Sequence, residues 1–242
     1  MDGAARRRQI VEAAMPLFAR KGFDGVTTKE IAAAAGVSEG LVFRHFPTKS
    51  ALYQEIFQLG CLADPDLMRL ASLPPSTDTL ILITYAMLHH LVLGVFGKHE
   101  LIVTRQRLVL NSMIEDGEYA RIHFSEIERQ FLPVYTDSLR AAQQAGDVRS
   151  DSPAPVNGMW FGAHVAAQIA HGRLSGRGVF SYQGDIDVVV AEAARFILRG
   201  IGLRDEVVTA PFDLRRLALF ADCLWWESRN TVRTGFSDTI GP

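Results

Sequence analysis

Cysteine is almost missing from this chain: Cys61 and Cys223 are its only two, far apart and with no CxxC spacing. That scarcity argues against a disulfide framework or a zinc finger. Two free thiols in or near the core, in a reducing cytoplasm, are the simpler expectation. Long apolar runs are equally scarce. LILITYAMLHHLVLGVF, from Leu80 to Phe96, is the one stretch that raises a membrane question. It is shorter than the roughly 20 apolar residues of a bilayer span and carries His89 and His90 at its middle, so it is expected to be a buried central helix. The opening MDGAARRR has no apolar signal core behind it, so no export signal is expected. Catalytic signatures are missing too: there is no P-loop, no GxSxG elbow and no HExxH. No acidic residue stands three positions before any of the seven histidines, which removes the Glu-x-x-His pairs of di-iron bundles. His164, Gln168 and His171 share a helical face and leave only a thin metal signal. No enzyme, cofactor or metal site is expected.

What is present is ordinary for a globular chain, with 48% hydrophobic and 21% charged residues over 242 positions. That length holds one large domain or two smaller ones. The charge is divided unevenly. Residues 1–57 carry eight Lys/Arg against six Asp/Glu, and residues 58–242 seventeen against twenty-one. A mildly basic end on an acidic body suits a partner such as DNA, although so small an excess does not diagnose one.

The most informative stretch is TTKEIAAAAGVSEGLVFRHFPTK, residues 27–49. Thr27 followed by Glu30 is a capping box opening an alanine-rich helix, and Gly36 follows Ala35 where a chain leaving a helix favours a left-handed residue. Ser38 caps a second helix that runs to about Phe46 and is stopped by Pro47. The pattern predicts a helix-turn-helix. Ile31, Ala32, Ala35, Val37, Leu41 and Phe46 supply its small core, while Lys29, Arg44, His45 and Lys49 form a basic rim suited to phosphate. An ordinary helical hairpin has the same shape, and the basic rim argues against it. Upstream, Ile10, Ala13, Ala14, Leu17 and Phe18 share one face of a helix ended by Gly22, as a three-helix domain requires.

The ordered run TTKEIAAAAGVSEGLVFRHFPTKSAL resembles the N-terminal domain of the tetracycline-repressor (TetR) family of bacterial transcription regulators, strongly over residues 6–57 and elsewhere only in general architecture. The resemblance implies an all-α protein: a helix-turn-helix DNA-binding domain over residues 1–57, joined to a larger helical effector-binding and dimerisation domain over 58–242. At the N-terminus of the reading helix, Glu39, Gly40 and Leu41 would meet base edges. Gly40 allows close backbone approach, Leu41 a thymine methyl, and Glu39 either a bond from cytosine N4 or simply favourable charge at the helix N-terminus. Arg44 would take a guanine or a phosphate. Thr27 opens the first of these helices, and the resemblance assigns phosphate contacts to Thr28, Ser38, His45 and Lys49, with Lys29 on a phosphate or a base. These contacts position rather than specify. Phe43 departs from the family's usual tyrosine, so one phosphate bond is expected to be missing. Arg6, Arg7 and Arg8 are either a DNA-gripping arm or a solvated tail.

Beyond this domain, Lys49 to about Leu62 predicts a fourth helix with Leu52 and Ile56 buried, an irregular connection over 63–76, and helices near 77–96, 100–115, 117–145, 154–174 and 184–202. Pro133 should kink the long 117–145 helix or split it. The residues 213–229 predict an added amphipathic helix bearing Trp225 and Trp226, which cover an interface or dock on their own domain. The resemblance implies a homodimer on a palindromic double-stranded operator, reading helices about 34–36 Å apart, with 154–174 and 184–202 in the pairing bundle. Gly158, Gly162, Ala163, Ala166, Ala167 and Ala170 form a small-residue face suited to that pairing or to a tight intrachain contact. Aromatic or polar interruptions of apolar faces, namely Met87, His90, Arg105, Tyr119, Phe131, Trp160 and His164, are candidates for an effector pocket taking a small, largely apolar ligand. The chain is therefore expected to be a ligand-released repressor. The rival from another class is a helical adaptor using the helix-turn-helix to bind protein.

Overall fold

Local capping chemistry sets the first helix boundaries in the computed structural model, which describes residues 3–61, 69–97, 100–115 and 117–209. Helix α1 (Gly3–Lys21) buries Ile10, Val11, Ala14, Phe18 and Ala19. Helix α2 (Thr28–Ala34) opens on the expected reciprocal box, in which Thr27 Oγ1 accepts from Glu30 N and the Glu30 carboxylate accepts from Thr27 N. Gly36, at φ 63°, then turns the chain in a conformation that a side chain would strain. Helix α3 (Glu39–His45) starts at Ser38, whose hydroxyl accepts from Leu41 N. Helix α4 (Lys49–Cys61) follows, with Leu52, Tyr53 and Ile56 buried.

The remaining described elements are α5 (Thr77–Leu88), a π-helical turn His89–Leu93, α6 (Gly94–Phe96), α7 (Glu100–Ile114), α8 (Glu118–Gln144), α9 (Pro155–His171), α10 (Ile186–Gly200) and α11 (Asp205–Thr209). Every one is helical, as the sequence predicts, and the only β pairing among the described residues is an isolated bridge between Val148 and Leu203. The apolar run from Leu80 is buried along most of its length, as expected, and no described helix is long and apolar enough to cross a membrane. Its π turn at the two histidines went unforeseen. Helix α8 passes through Pro133 unbroken. The proline faces solvent, where water can satisfy the carbonyl that its missing N–H leaves unbonded.

Two apolar clusters organise these helices. One joins α1–α4 to Leu108 and Val109 of α7 and Tyr119 and Ala120 of α8. The other fills the space among α5, α8, α9 and α10. The predicted 213–229 helix, its two tryptophans and Cys223 lie outside the described residues, as does the side chain of Cys61.

Candidate nucleic-acid interface

Helix α3 buries one side and offers the other. Val42 and Phe46 are each about 1% exposed, and Leu41 is half-buried beside them. Val42, absent from the core expected of this hairpin, is the buried residue that anchors the helix. Glu39, Gly40, Phe43 and Arg44 face solvent, Phe43 with 46% of its surface exposed. Across the turn, Thr28 Oγ1 donates to Glu39 Oε1 at 2.5 Å, so the carboxylate is held against the start of α2 while its second oxygen remains free to accept. Lys29 is exposed nearby on α2. Two of the expected hydroxyl contacts, Thr27 and Ser38, already act as helix caps; Thr27 also donates its hydrogen to the Glu30 carboxylate at 3.0 Å, whereas Ser38 can still donate its own outward. Thr28, Lys29, Glu39, Gly40, Phe43 and Arg44 therefore lie on one accessible face of the α2–α3 pair.

Two basic side chains are occupied within the fold. Lys49 Nζ donates to the carbonyls of Phe23 at 2.6 Å and Val26 at 3.2 Å and sits 4.2 Å above the Phe23 ring. This ammonium satisfies the loop leaving α1. Arg7 holds a two-pronged ion pair with Glu55, each bond 2.9 Å, and donates a third bond to the carbonyl of His45 at 2.8 Å. Its guanidinium also lies 4.3 Å from the centre of the Phe46 ring. The hydrogen bonds from Arg7 hold the Glu55 carboxyl below the usual carboxylate range. Arg7 thus ties α1 to the end of α3 and to α4, whereas the sequence left it between a DNA arm and a loose tail. Gln9 Nε2 completes the set by bonding the carbonyl of Ala35 at 2.8 Å.

The body reaches this unit by more than α4. Asn111 Nδ2 donates to Ala19 O at 3.0 Å, and Glu115 accepts from Phe23 N at 3.0 Å. Gly22, at φ 71°, admits that carboxylate, which a β-carbon there would strike. Tyr53 of α4 packs 5.1 Å from Tyr119 of α8. Tyr119, expected in an effector pocket, is in fact buried at this junction and stacks on His123. Burial, reinforced by the charge of Arg105, lowers His123 to about 4.

The other effector candidates are spread over several helices. Trp160 stacks on His164 at 6.2 Å and meets the edge of Phe124 at 5.5 Å, while Met87 and Phe131 pack against the main cluster. His90 lies in the π turn and is half-buried. His171 is paired with Gln106 at 2.9 Å. A groove of about 580 Å³ runs along the outer side of α8 beside Pro133, and none of the candidates lines it.

The small-residue face of α9 is turned inward. Gly158, Gly162, Ala166 and Ala170 are buried, Ala163 and Ala167 half-buried. A β-carbon on Gly158 would stand 3.0 Å from Tyr135 Oη, and one on Gly162 2.9 Å from Ile197. Of the two readings the sequence left open, these buried residues take the intrachain one, because they lie against the chain's own α8 and α10. The apolar side chains that α9 and α10 leave to solvent are Phe161, 59% exposed, Phe196, 68% exposed, and Val188.

Comparison with known proteins places this geometry among regulators. The sequence model described as "Bacterial regulatory proteins, tetR family" matches residues 10–56. The chain is 32% identical over 153 residues to the HTH-type transcriptional repressor Rv1474c of Mycobacterium tuberculosis, covering 63% of this chain and 74% of that one. It is 27% identical over 151 residues to the HTH-type transcriptional repressor AcnR of Corynebacterium diphtheriae, covering 62% and 72%. Among solved structures it resembles NalD, the secondary repressor of the MexAB-OprM multidrug efflux pump in Pseudomonas aeruginosa, with a TM-score of 0.62, 20% identity and coverage of 84% and 98%. It also resembles AibR in complex with isovaleryl coenzyme A and operator DNA, with a TM-score of 0.57, 19% identity and coverage of 82% and 100%.

Proposed function

Because the chain belongs to the TetR family of DNA-binding transcriptional regulators, we propose that it is a repressor that binds a palindromic operator as a homodimer and leaves it when a small ligand binds the body. The observation that carries this reading is the exposed face of α3, presented on a helix fixed by the Ser38 cap, the buried Val42 and the Arg7 tie. In the groove, Arg44 takes a guanine or a phosphate, and the free oxygen of the tethered Glu39 accepts from a cytosine amine. Ser38, His45 and Lys29 hold phosphates through their side chains, and Thr28, whose hydroxyl hydrogen is held by Glu39, does so through its backbone amide at the start of α2. Lys49 contributes by fixing the α1–α2 loop, and its ammonium is not counted as a phosphate ligand. Its backbone amide, at the start of α4, remains suited to an anion.

Pairing through Phe161, Val188 and Phe196 would bury side chains that a single copy leaves in water, which supports a two-fold assembly built from α9 and α10. Release follows if ligand binding favours a state in which the paired α3 helices no longer match successive grooves, and a ligand achieves this only by preferring that state. Two routes suit the transmission: α4 through Tyr53 and Tyr119, and α7 through Asn111 and the Glu115 that follows its last residue. The likeness to a regulator that holds both a ligand and operator DNA supports this reading.

The test is fluorescence anisotropy of the full chain on its own upstream DNA and on a scrambled duplex, across a salt series, with Arg44→Ala and Phe196→Glu alongside. Preference for the upstream duplex, lost in both variants, with Phe196→Glu sedimenting as a monomer, is the expected outcome. Equal weak binding to both duplexes by every variant would refute specific reading of that DNA.

A further inference from the structure

Three consecutive polar residues on α7 meet different fates. Gln106 is buried and paired with His171, and Arg107 Nη2 donates to the carbonyl of Leu174 at 2.7 Å. Arg105 has neither arrangement. Its Nε is buried without a hydrogen-bond partner, and none of the ion pairs among the described residues includes it. An Nε–H left this way is costly, because it has given up water and gained no bond in return. Its helix packs on α8 through Leu108 and Val109, which meet Tyr119 and Ala120, and the charge of Arg105 is felt by His123 one turn along α8.

The surroundings narrow what could complete it. His123 packs 5.3 Å from Phe124, which meets Trp160 edge-on at 5.5 Å. Phe124 belongs to the fringe of the N-terminal cluster and Trp160 to that of the main cluster, so this aromatic line bridges the seam between the two cores. His123 is held neutral by burial and adds no second positive charge. One cation beside aromatic walls balances a single negative charge on an apolar body, and a dianionic phosphate would be left half-neutralised. A guanidinium whose Nε lacks a partner also matches, through Nε and the neighbouring amine, the two oxygens of a carboxylate.

We propose that Arg105 is the counter-ion of an effector site for a small carboxylic acid with an apolar or aromatic body, seated at the seam marked by His123, Phe124 and Trp160. The proposal rests on the ligand-responsive reading above and gives that ligand its chemical class. Because α7 also carries Asn111, nearly two turns further on, and runs directly into Glu115, an anion drawn to Arg105 acts on the helix that touches the end of α1.

The experiment is isothermal titration calorimetry of the full chain with octanoate and 3-phenylpropionate, each beside its uncharged primary amide, using the wild type, Arg105→Gln and Arg105→Lys. At least one carboxylate should bind about tenfold or more tightly than its amide, the scale of one charge-assisted bond. Arg105→Gln should abolish that difference, and Arg105→Lys should keep part of it. Arg105→Gln should also melt at the wild-type temperature or above, because it removes an unpaired charge. Failure of both carboxylates to bind, equal binding of acid and amide, or unchanged carboxylate binding by Arg105→Gln would overturn the proposal. A clear fall in the melting temperature of Arg105→Gln would do so as well, by revealing a structural partner. A carboxylate that binds through Arg105 yet leaves operator affinity unchanged would uphold the site and refute ligand release.

Discussion

Replacing Arg7 with alanine separates two roles that a basic N-terminal residue can have. The structure gives its side chain a fork on Glu55, a bond to His45 O and a stack on Phe46. The ion pair is partly exposed, 41% for the Arg7 side chain and 23% for Glu55, so solvent screening limits it to about 0.5–1 kcal/mol. The backbone bond adds about 1 kcal/mol and the stack about 0.5 kcal/mol. Arg7→Ala should therefore cost about 2 kcal/mol, or about 4–8 °C in melting temperature for a cooperative unit of this size. Arg7→Lys keeps the charge but loses the fork and should fall about midway. Urea denaturation followed by circular dichroism measures the loss, and a salt series of operator titrations measures the other possibility. A residue that grips phosphate contributes about 0.9 to the slope of log affinity against log salt. The structural role predicts weaker binding with that slope unchanged. Unaltered stability together with a slope shallower by about 0.9 would refute the assignment and return Arg7 to the DNA.

Other consequences can be measured in the same preparations. His123 is nearly buried and lowered to about 4 from its ordinary 6.5, so protons favour the unfolded chain; the stability it contributes is complete above pH 6.5 and falls away between 6.5 and 4, by about 3 kcal/mol. Urea melts across that window should show the loss, and His123→Phe should flatten it. Gly162→Ala would press a β-carbon on Ile197 and should cost about 1–3 kcal/mol of stability while leaving dissociation of the proposed dimer in analytical ultracentrifugation unchanged; the reverse pattern would put Gly162 at a contact between copies. Phe43→Tyr adds a hydroxyl to an exposed ring on the reading face and should tighten operator binding by about 1 kcal/mol, roughly fivefold, at every salt concentration.

What could be read in the sequence was what is local. The Thr27–Glu30 box and the Ser38 cap each close over three residues, so residue order alone exposes them. Helix limits in the body followed from glycine and proline breaks for the same reason, and the long helices formed close to where periodicity put them. The missed features join distant positions. Arg7 meets Glu55 across 48 residues, Lys49 meets Phe23 across 26 and Asn111 meets Ala19 across 92, and no periodicity records such pairings. Lys49 stood out as basic, but its partners are backbone carbonyls, which every residue possesses. The small residues of α9 gave a true signal of close approach without saying what approaches, and only the positions of Tyr135 and Ile197 show that the chain approaches itself. The π turn at His89 adds a residue to the helical cycle without changing the apolar character of the segment, so the run from Leu80 still looks uniform. Pro133 shows the opposite failure, a strong breaker tolerated because it lies on the outer side of a helix held by its neighbours.

The measurement that tests the central claim most directly is selection of bound duplexes from a randomised DNA pool by the full chain, followed by sequencing, with Arg44→Ala carried in parallel. A two-fold symmetric motif whose half-sites lie about one helical turn apart, with enrichment lost or altered at one base position in Arg44→Ala, is what a paired α3 reader predicts. A pool that stays random for the wild type, or that yields the same motif with and without Arg44, would contradict the assignment of α3 as the element that reads DNA.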